Sequence, residues 1–107
     1  MIVEKVKSIV TDRRAVGLVC KPERPDIERF AARIADFLIQ NGLRVQVDPG
    51  SCNLTDRKVE PTPIEDMDVD FVVTIGGDGT ILHTLQYLRR RETPLFCINR
   101  GTVGFLT

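Results

Sequence analysis

The sequence lacks any excess of charge of one sign, since 15 lysines and arginines stand against 15 aspartates and glutamates in 107 residues. Without a net field, bulk electrostatics draws neither nucleic acid nor an anionic membrane surface, and neither is expected as a partner. Long apolar runs are missing as well. No stretch approaches the ~20 residues that span a bilayer, and Met1-Ile2-Val3-Glu4-Lys5 lacks the charged-then-apolar layout of a signal peptide. A cytoplasmic location is the expectation. Cysteine is scarce: Cys20, Cys52 and Cys97 are odd in number, far apart, and form no CxxC or Cys/His pattern. No protein-ligated metal is expected, and the three are read as quiet core thiols in a reducing compartment. The length allows one domain with one modest core.

Periodicity organises what is present. Ile2, Val3, Val6, Ile9 and Val10 predict a short leading helix within residues 1–14. Residues 15–20 form a continuous apolar run, the mark of a strand covered on both faces, stopped by Pro22 and Pro25. From Asp26 the residues Ile27, Phe30, Ala31, Ile34, Phe37 and Leu38 recur at helical spacing, and Asn41-Gly42 supplies a left-handed stop. A second strand is predicted over 43–47, a third over 71–75 and a fourth over 95–98, with a second helix from Thr80 to about Arg91. Residues 48–70 show no sustained period and read as a functional or mobile connection. Together these elements predict a layered α/β domain, with a mainly parallel sheet, right-handed crossovers and flanking helices.

One bend carries the chemistry. Phe71 to Ile75 runs directly into Gly76-Gly77-Asp78-Gly79, and a helical pattern follows at once. Glycines let the main chain approach a ligand closely, and a helix N-terminus adds unpaired N–H groups, so the site suits phosphate. A second glycine-rich segment, residues 99–107, leaves the fourth strand. Both lie at carboxyl ends of strands, where open α/β sheets bind ligands, and are expected to face one crevice. A carboxylate beside phosphate is repelled unless it has a task. Asp78 can coordinate a cation shared with phosphate, accept a proton from an attacking hydroxyl, or cap the helix; Thr80 offers an alternative cap.

These residues resemble the NAD kinase family. The family carries a GGDG bend after a strand, here Gly76-Gly77-Asp78-Gly79 followed by Thr80, and a second motif N-x-G-x-x-GF-L, here Asn99, Gly101, Gly104, Phe105 and Leu106 at the matching places. GGDG alone is shared with diacylglycerol, sphingosine and 6-phosphofructo kinases; the second motif narrows the choice. The two cover residues 71–107. The resemblance implies an NAD kinase/diacylglycerol kinase-like amino-terminal α/β domain and phosphoryl transfer from ATP or polyphosphate to the 2′-hydroxyl of the adenosine ribose of NAD, giving NADP. A divalent cation, usually magnesium, accompanies the donor. In the resemblance Asp78 is the catalytic proton acceptor and lines the NAD site with Gly79. His83 stands at a ligand-binding position, and Phe105 with Leu106 helps form the dinucleotide pocket.

The resemblance also implies a carboxyl-terminal β-rich domain carrying an Asn-Glu pair. Residues 1–107 therefore read as the amino-terminal domain of a longer kinase, inactive or nearly so alone, the whole protein being a homodimer or homotetramer. Arg89-Arg90-Arg91 reads as a solvated group in the last turn of the second helix, whereas Arg100 lies within the second glycine segment and is open to phosphate contact. The alternatives are a lipid or sugar kinase sharing the GGDG bend, or a nucleotide-binding fragment without turnover.

Overall fold

The computed structural model describes residues 14–54 and 57–99, and the backbone of 102–106. The predicted leading helix lies outside these residues. Strand β1 (Ala15–Cys20) is followed by helix α1 (Pro25–Gln40), β2 (Arg44–Val47) and a two-residue β3 (Glu60–Pro61). A 3-10 turn (Ile64–Asp66) leads to β4 (Phe71–Ile75), helix α2 (Asp78–Tyr87), β5 (Leu95–Asn99) and β6 (Thr102–Leu106). The sheet order is β3-β2-β1-β4-β5-β6, and its first five strands are parallel. The expected layered α/β architecture is present.

Alternation along the strands divides the core into two layers. Val16, Leu18 and Cys20 of β1, Val45 and Val47 of β2, and Val73 and Ile75 of β4 pack on one face against α1. On the other face Val19, Val72, Leu95 and Cys97 meet Ile64, Met67 and Leu88. Both faces are covered, so the parallel strands read as unbroken apolar runs. Helix α1 buries Ile27, Ala31, Ala32, Ala35 and Leu38, while Phe30 and Phe37 lie exposed. That corrects the expected apolar stripe: alanines provide the contact, because a small-residue face lets the helix lie close to the sheet. Gly42, at φ 82°, makes the left-handed turn predicted after α1.

The connection over 48–70 is fastened at several points. Asp48 accepts a hydrogen bond from Ser51 Oγ (2.8 Å) and its carbonyl accepts one from the Cys52 N–H (3.0 Å). Arg44 meets Glu60 in a two-point pair across β2 and β3, and those hydrogen bonds hold the Glu60 carboxyl below its usual range. Ile64 and Met67 are buried beneath the sheet. At the opposite strand ends, Asp70 joins β1 to β4, its carboxylate accepting from the Ala15 N–H (2.8 Å) while its own N–H donates to the Ala15 carbonyl (2.8 Å).

The reading of three separate thiols is corrected. Cys20 and Cys52 form a disulfide with a Cα–Cα distance of 5.5 Å, and Cys97 is a free, buried thiol. A separation of 32 residues hides this proximity in the sequence; parallel pairing of β1 with β2 creates it, by bringing both carboxyl ends to one edge. Cross-linking a loop of that size removes denatured-state entropy worth about 2–4 kcal/mol. Replacing both cysteines by serine is therefore expected to lower the stability of the intact protein by that amount in urea unfolding. Identical midpoints for the oxidised protein and the double variant are the contrary result.

Candidate functional site

Strand order determines where a ligand fits. From β1 the chain moves through α1 to β2 on one side, while β4 lies on the other side of β1 and leads through α2 to β5. The connections diverge between the carboxyl ends of β1 and β4, and at such a switch point the loops part and leave a crevice. A cleft of about 500 Å³ occupies this place, lined by Gly77, Asp78, Gly79, Thr80 and His83 from the bend and α2 and by Cys20, Lys21 and Pro22 from the end of β1. Gly50 and Ser51, from the turn after β2, complete the lining.

The bend is built by close approach. A Cβ on Gly76 would collide with Thr80 Oγ1 and stand 3.0 Å from Lys21 Cβ, and the residue has φ +159°. Gly77 and Gly79 differ, because a Cβ at either would meet nothing within 4 Å. Packing thus demands glycine only at the first of the three positions. At the other two a Cβ would stand in open space, and both residues line the cleft.

Helix α2 begins at Asp78, two residues earlier than predicted, with Gly77 as its N-cap and no side-chain capping bond. Neither Asp78 nor Thr80 takes the capping role. Thr80 is buried against the bend, and its carbonyl accepts a hydrogen bond from Thr84 Oγ1 (2.8 Å). The amino end of α2 therefore presents unpaired N–H groups and its positive dipole end to the cleft. The Asp78 carboxylate is exposed and makes no hydrogen bond or ion pair with the described residues. His83 also lines the cleft, its ring 5.0 Å from that of Tyr87.

The second glycine-rich segment is placed differently from the expectation. It returns as β6, antiparallel to β5, with Thr102 opposite Asn99 and Leu106 opposite Leu95. At ~3.3 Å per residue, β6 carries Gly104, Phe105 and Leu106 progressively away from the carboxyl edge. Only its start stays near the bend: the Gly76 N–H donates to the Ile98 carbonyl (3.0 Å), immediately before Asn99. Asn99, at the end of β5, is exposed but does not line the cleft. Arg100 and Gly101 lie outside the described residues. Among the described residues, Cys20, Lys21, Pro22, Gly50 and Ser51 supply the rest of the cleft lining. Their signal in the sequence was positional, since they follow the first and second strands of a parallel sheet, where the switch-point rule also applies.

The arginine cluster is corrected too. Helix α2 ends at Tyr87, so Arg89, Arg90 and Arg91 follow it and do not occupy its last turn. Arg90 instead approaches Asp68 at 3.5 Å, an exposed pair.

A mainly parallel sheet flanked by helices, with a cleft at the switch point between β1 and β4, defines a layered α/β domain. The chain belongs to the NAD kinase family, since the ATP-NAD kinase N-terminal domain model matches residues 16–107. It is 37% identical over 95 residues to an NAD kinase of Pyrococcus furiosus, covering 85% of this chain and 33% of that protein. An NAD kinase of Methanothermobacter thermautotrophicus is 38% identical over 96 residues, covering 86% of this chain and 33% of that protein. Among solved structures, yeast NADH kinase complexed with NADH superposes with a TM-score of 0.64 at 25% identity, over 89% of this chain and 32% of that chain. The chain thus spans about a third of the length of these relatives. Among the described residues no helix is long and apolar enough to cross a membrane.

Proposed function

We propose that this chain is the amino-terminal domain of an NAD kinase that transfers a phosphoryl group from ATP or polyphosphate to the 2′-hydroxyl of the adenosine ribose of NAD. The observation that carries the reading is the exposed Asp78 carboxylate, without a partner among the described residues, at the first position of a helix that lacks a side-chain cap and lines the cleft. In the transfer a phosphorus–oxygen bond of the donor breaks and one to the ribose oxygen forms. The hydroxyl proton passes to Asp78. A carboxylate is a weak base for such a hydroxyl, but phosphoryl transfer has a loose transition state, so orienting the nucleophile and accepting its proton late suffices. The helix N-terminus stabilises the equatorial oxygens.

A divalent cation, magnesium by the resemblance, is part of the proposal. Among the described residues no cluster of three acidic, histidine or cysteine side chains forms a cation site, and Asp78 is the only carboxylate lining the cleft. This suits an ion that arrives with the donor and takes most of its ligands from phosphate and water. Gly77, Gly79 and His83 are proposed to line the dinucleotide side, with Gly76 and Thr80 shaping the bend. For Asn99, Gly101, Gly104, Phe105 and Leu106 the support is the family motif.

The site is proposed to be completed by a carboxyl-terminal domain, in a homodimer or homotetramer within the cytoplasm. The test is NADP formation from NAD, and NADPH formation from NADH, with ATP and magnesium. It compares this chain with a version extended through its natural carboxyl terminus. Turnover by the extended protein alone is expected. No product from either overturns the reading in favour of a lipid or sugar kinase, or of binding without turnover.

A further inference from the structure

We infer that Lys21 binds the phosphate chain of the phosphoryl donor and neutralises charge on the group in transit. The inference rests on the kinase reading above and adds a residue outside both glycine motifs. Among the described residues, Lys21 is the only lysine or arginine lining the cleft. Its side chain is exposed and has no hydrogen-bond or ion-pair partner among those residues. Arg24, close by in sequence, is already committed to Asp26 through two hydrogen bonds of 3.0 and 2.9 Å.

The backbone fixes where this cation starts. The Lys21 N–H donates to the carbonyl of Ile75 (2.8 Å), the last residue of β4, so the residue after β1 is tied to the residue before the bend. The root of the side chain is packed there too, with Lys21 Cβ 3.0 Å from the place a Gly76 Cβ would take. A Cβ at Gly76 would collide with Thr80 Oγ1 and crowd Lys21 Cβ. The glycine therefore serves both the turn and the position of the lysine.

Electrostatics then selects the ligand. A polyanionic donor entering beside the Asp78 carboxylate meets repulsion that one helix N-terminus offsets only in part. A lysine ammonium is a compact point charge on a flexible stem, suited to following a phosphoryl group as charge moves during transfer. The hydroxyl meets Asp78 at the start of α2, and Lys21 lines the same cleft from the end of β1, where its ammonium meets the phosphate chain of a donor bound beside the bend. ATP and inorganic polyphosphate share the phosphate chain the residue would recognise.

The test uses the protein extended through its natural carboxyl terminus, with Lys21→Met and Lys21→Arg, and assays ATP and polyphosphate as separate donors. Lys21→Met is expected to lower kcat/KM for the donor by about 10–100-fold, the range of a lost charge-assisted contact, and to leave KM for NAD within about threefold. Lys21→Arg should recover most of the loss, which a purely packing role would not produce. An effect with both donors assigns the contact to the shared phosphate chain; an effect confined to ATP assigns it to the nucleotide and overturns the inference. Unchanged donor kinetics in Lys21→Met, or a change confined to NAD, also overturns it. Tripolyphosphate binding, measured by calorimetry on the wild type and Lys21→Met, separates this inference from the kinase reading. If the wild type makes no NADP, the kinase reading fails, and weaker tripolyphosphate binding by Lys21→Met still supports an anion contact at Lys21. Equal binding removes it.

Discussion

Asp78→Asn in the extended protein is expected to lower turnover by roughly 10²–10⁴ while NAD affinity stays within about tenfold. The amide keeps the size and polarity of the carboxylate but cannot take up the hydroxyl proton. Folding should be unaffected, because Asp78 is exposed, caps nothing and has no partner among the described residues. Steady-state kinetics with NAD varied, together with direct NAD binding, check the two halves of this expectation. Turnover equal to the wild type would remove Asp78 from the mechanism. Weakened binding with unchanged turnover would make it a binding residue alone.

Gly76→Val is expected to cost about 3–6 kcal/mol of stability, combining overpacking with an unfavourable backbone conformation. The added side chain would collide with Thr80 Oγ1 and press on Lys21 Cβ, two contacts that belong to the architecture of the bend. Gly77→Ala and Gly79→Ala are the controls. Open space surrounds both positions, so each should unfold within about 1 kcal/mol of the wild type, and alanine at position 79 gains helix propensity. In the extended protein both should lose kinase activity, because each adds a methyl group to a residue that lines the cleft. Urea unfolding and NADP formation, measured on the same variants, separate a glycine the fold requires from two the ligand requires. Equal destabilisation by all three substitutions would show that the bend needs every glycine for folding.

Much of the architecture was legible from periodicity. The apolar runs at 15–20 and 71–75 became β1 and β4, and the Asn41-Gly42 stop ended α1 near its predicted place. These succeeded because strand and helix periods are local, and burial on two faces leaves a run with no alternation. The less successful expectations depended on partners. Phe30 and Phe37 share the helical period of the buried stripe but lie exposed, since the sheet accepts the alanine face of α1. Residues 102–106 resemble a loop by their glycine and threonine, yet pairing with β5 makes them a strand. Helix α2 stops before the arginines, which the helical pattern could not reveal because Leu88 continues it and is buried.

The sequence by itself determined the fold class, the family motifs and the presence of a carboxylate in a glycine bend beside a helix N-terminus. Those features are written in consecutive residues, where spacing alone constrains backbone geometry. Tertiary structure decided the part of the cleft lining that comes from the ends of β1 and β2, the Cys20–Cys52 bridge and the route of the second motif along β6. Each depends on which strands become neighbours, and Cys20 meets Cys52, or Lys21 meets Gly76, only after parallel pairing aligns the strand ends. Long-range pairing also distinguished the three glycines of the bend. Only the packed position of Thr80 and Lys21 shows that Gly76 is needed for close approach, whereas Gly77 and Gly79 face open space.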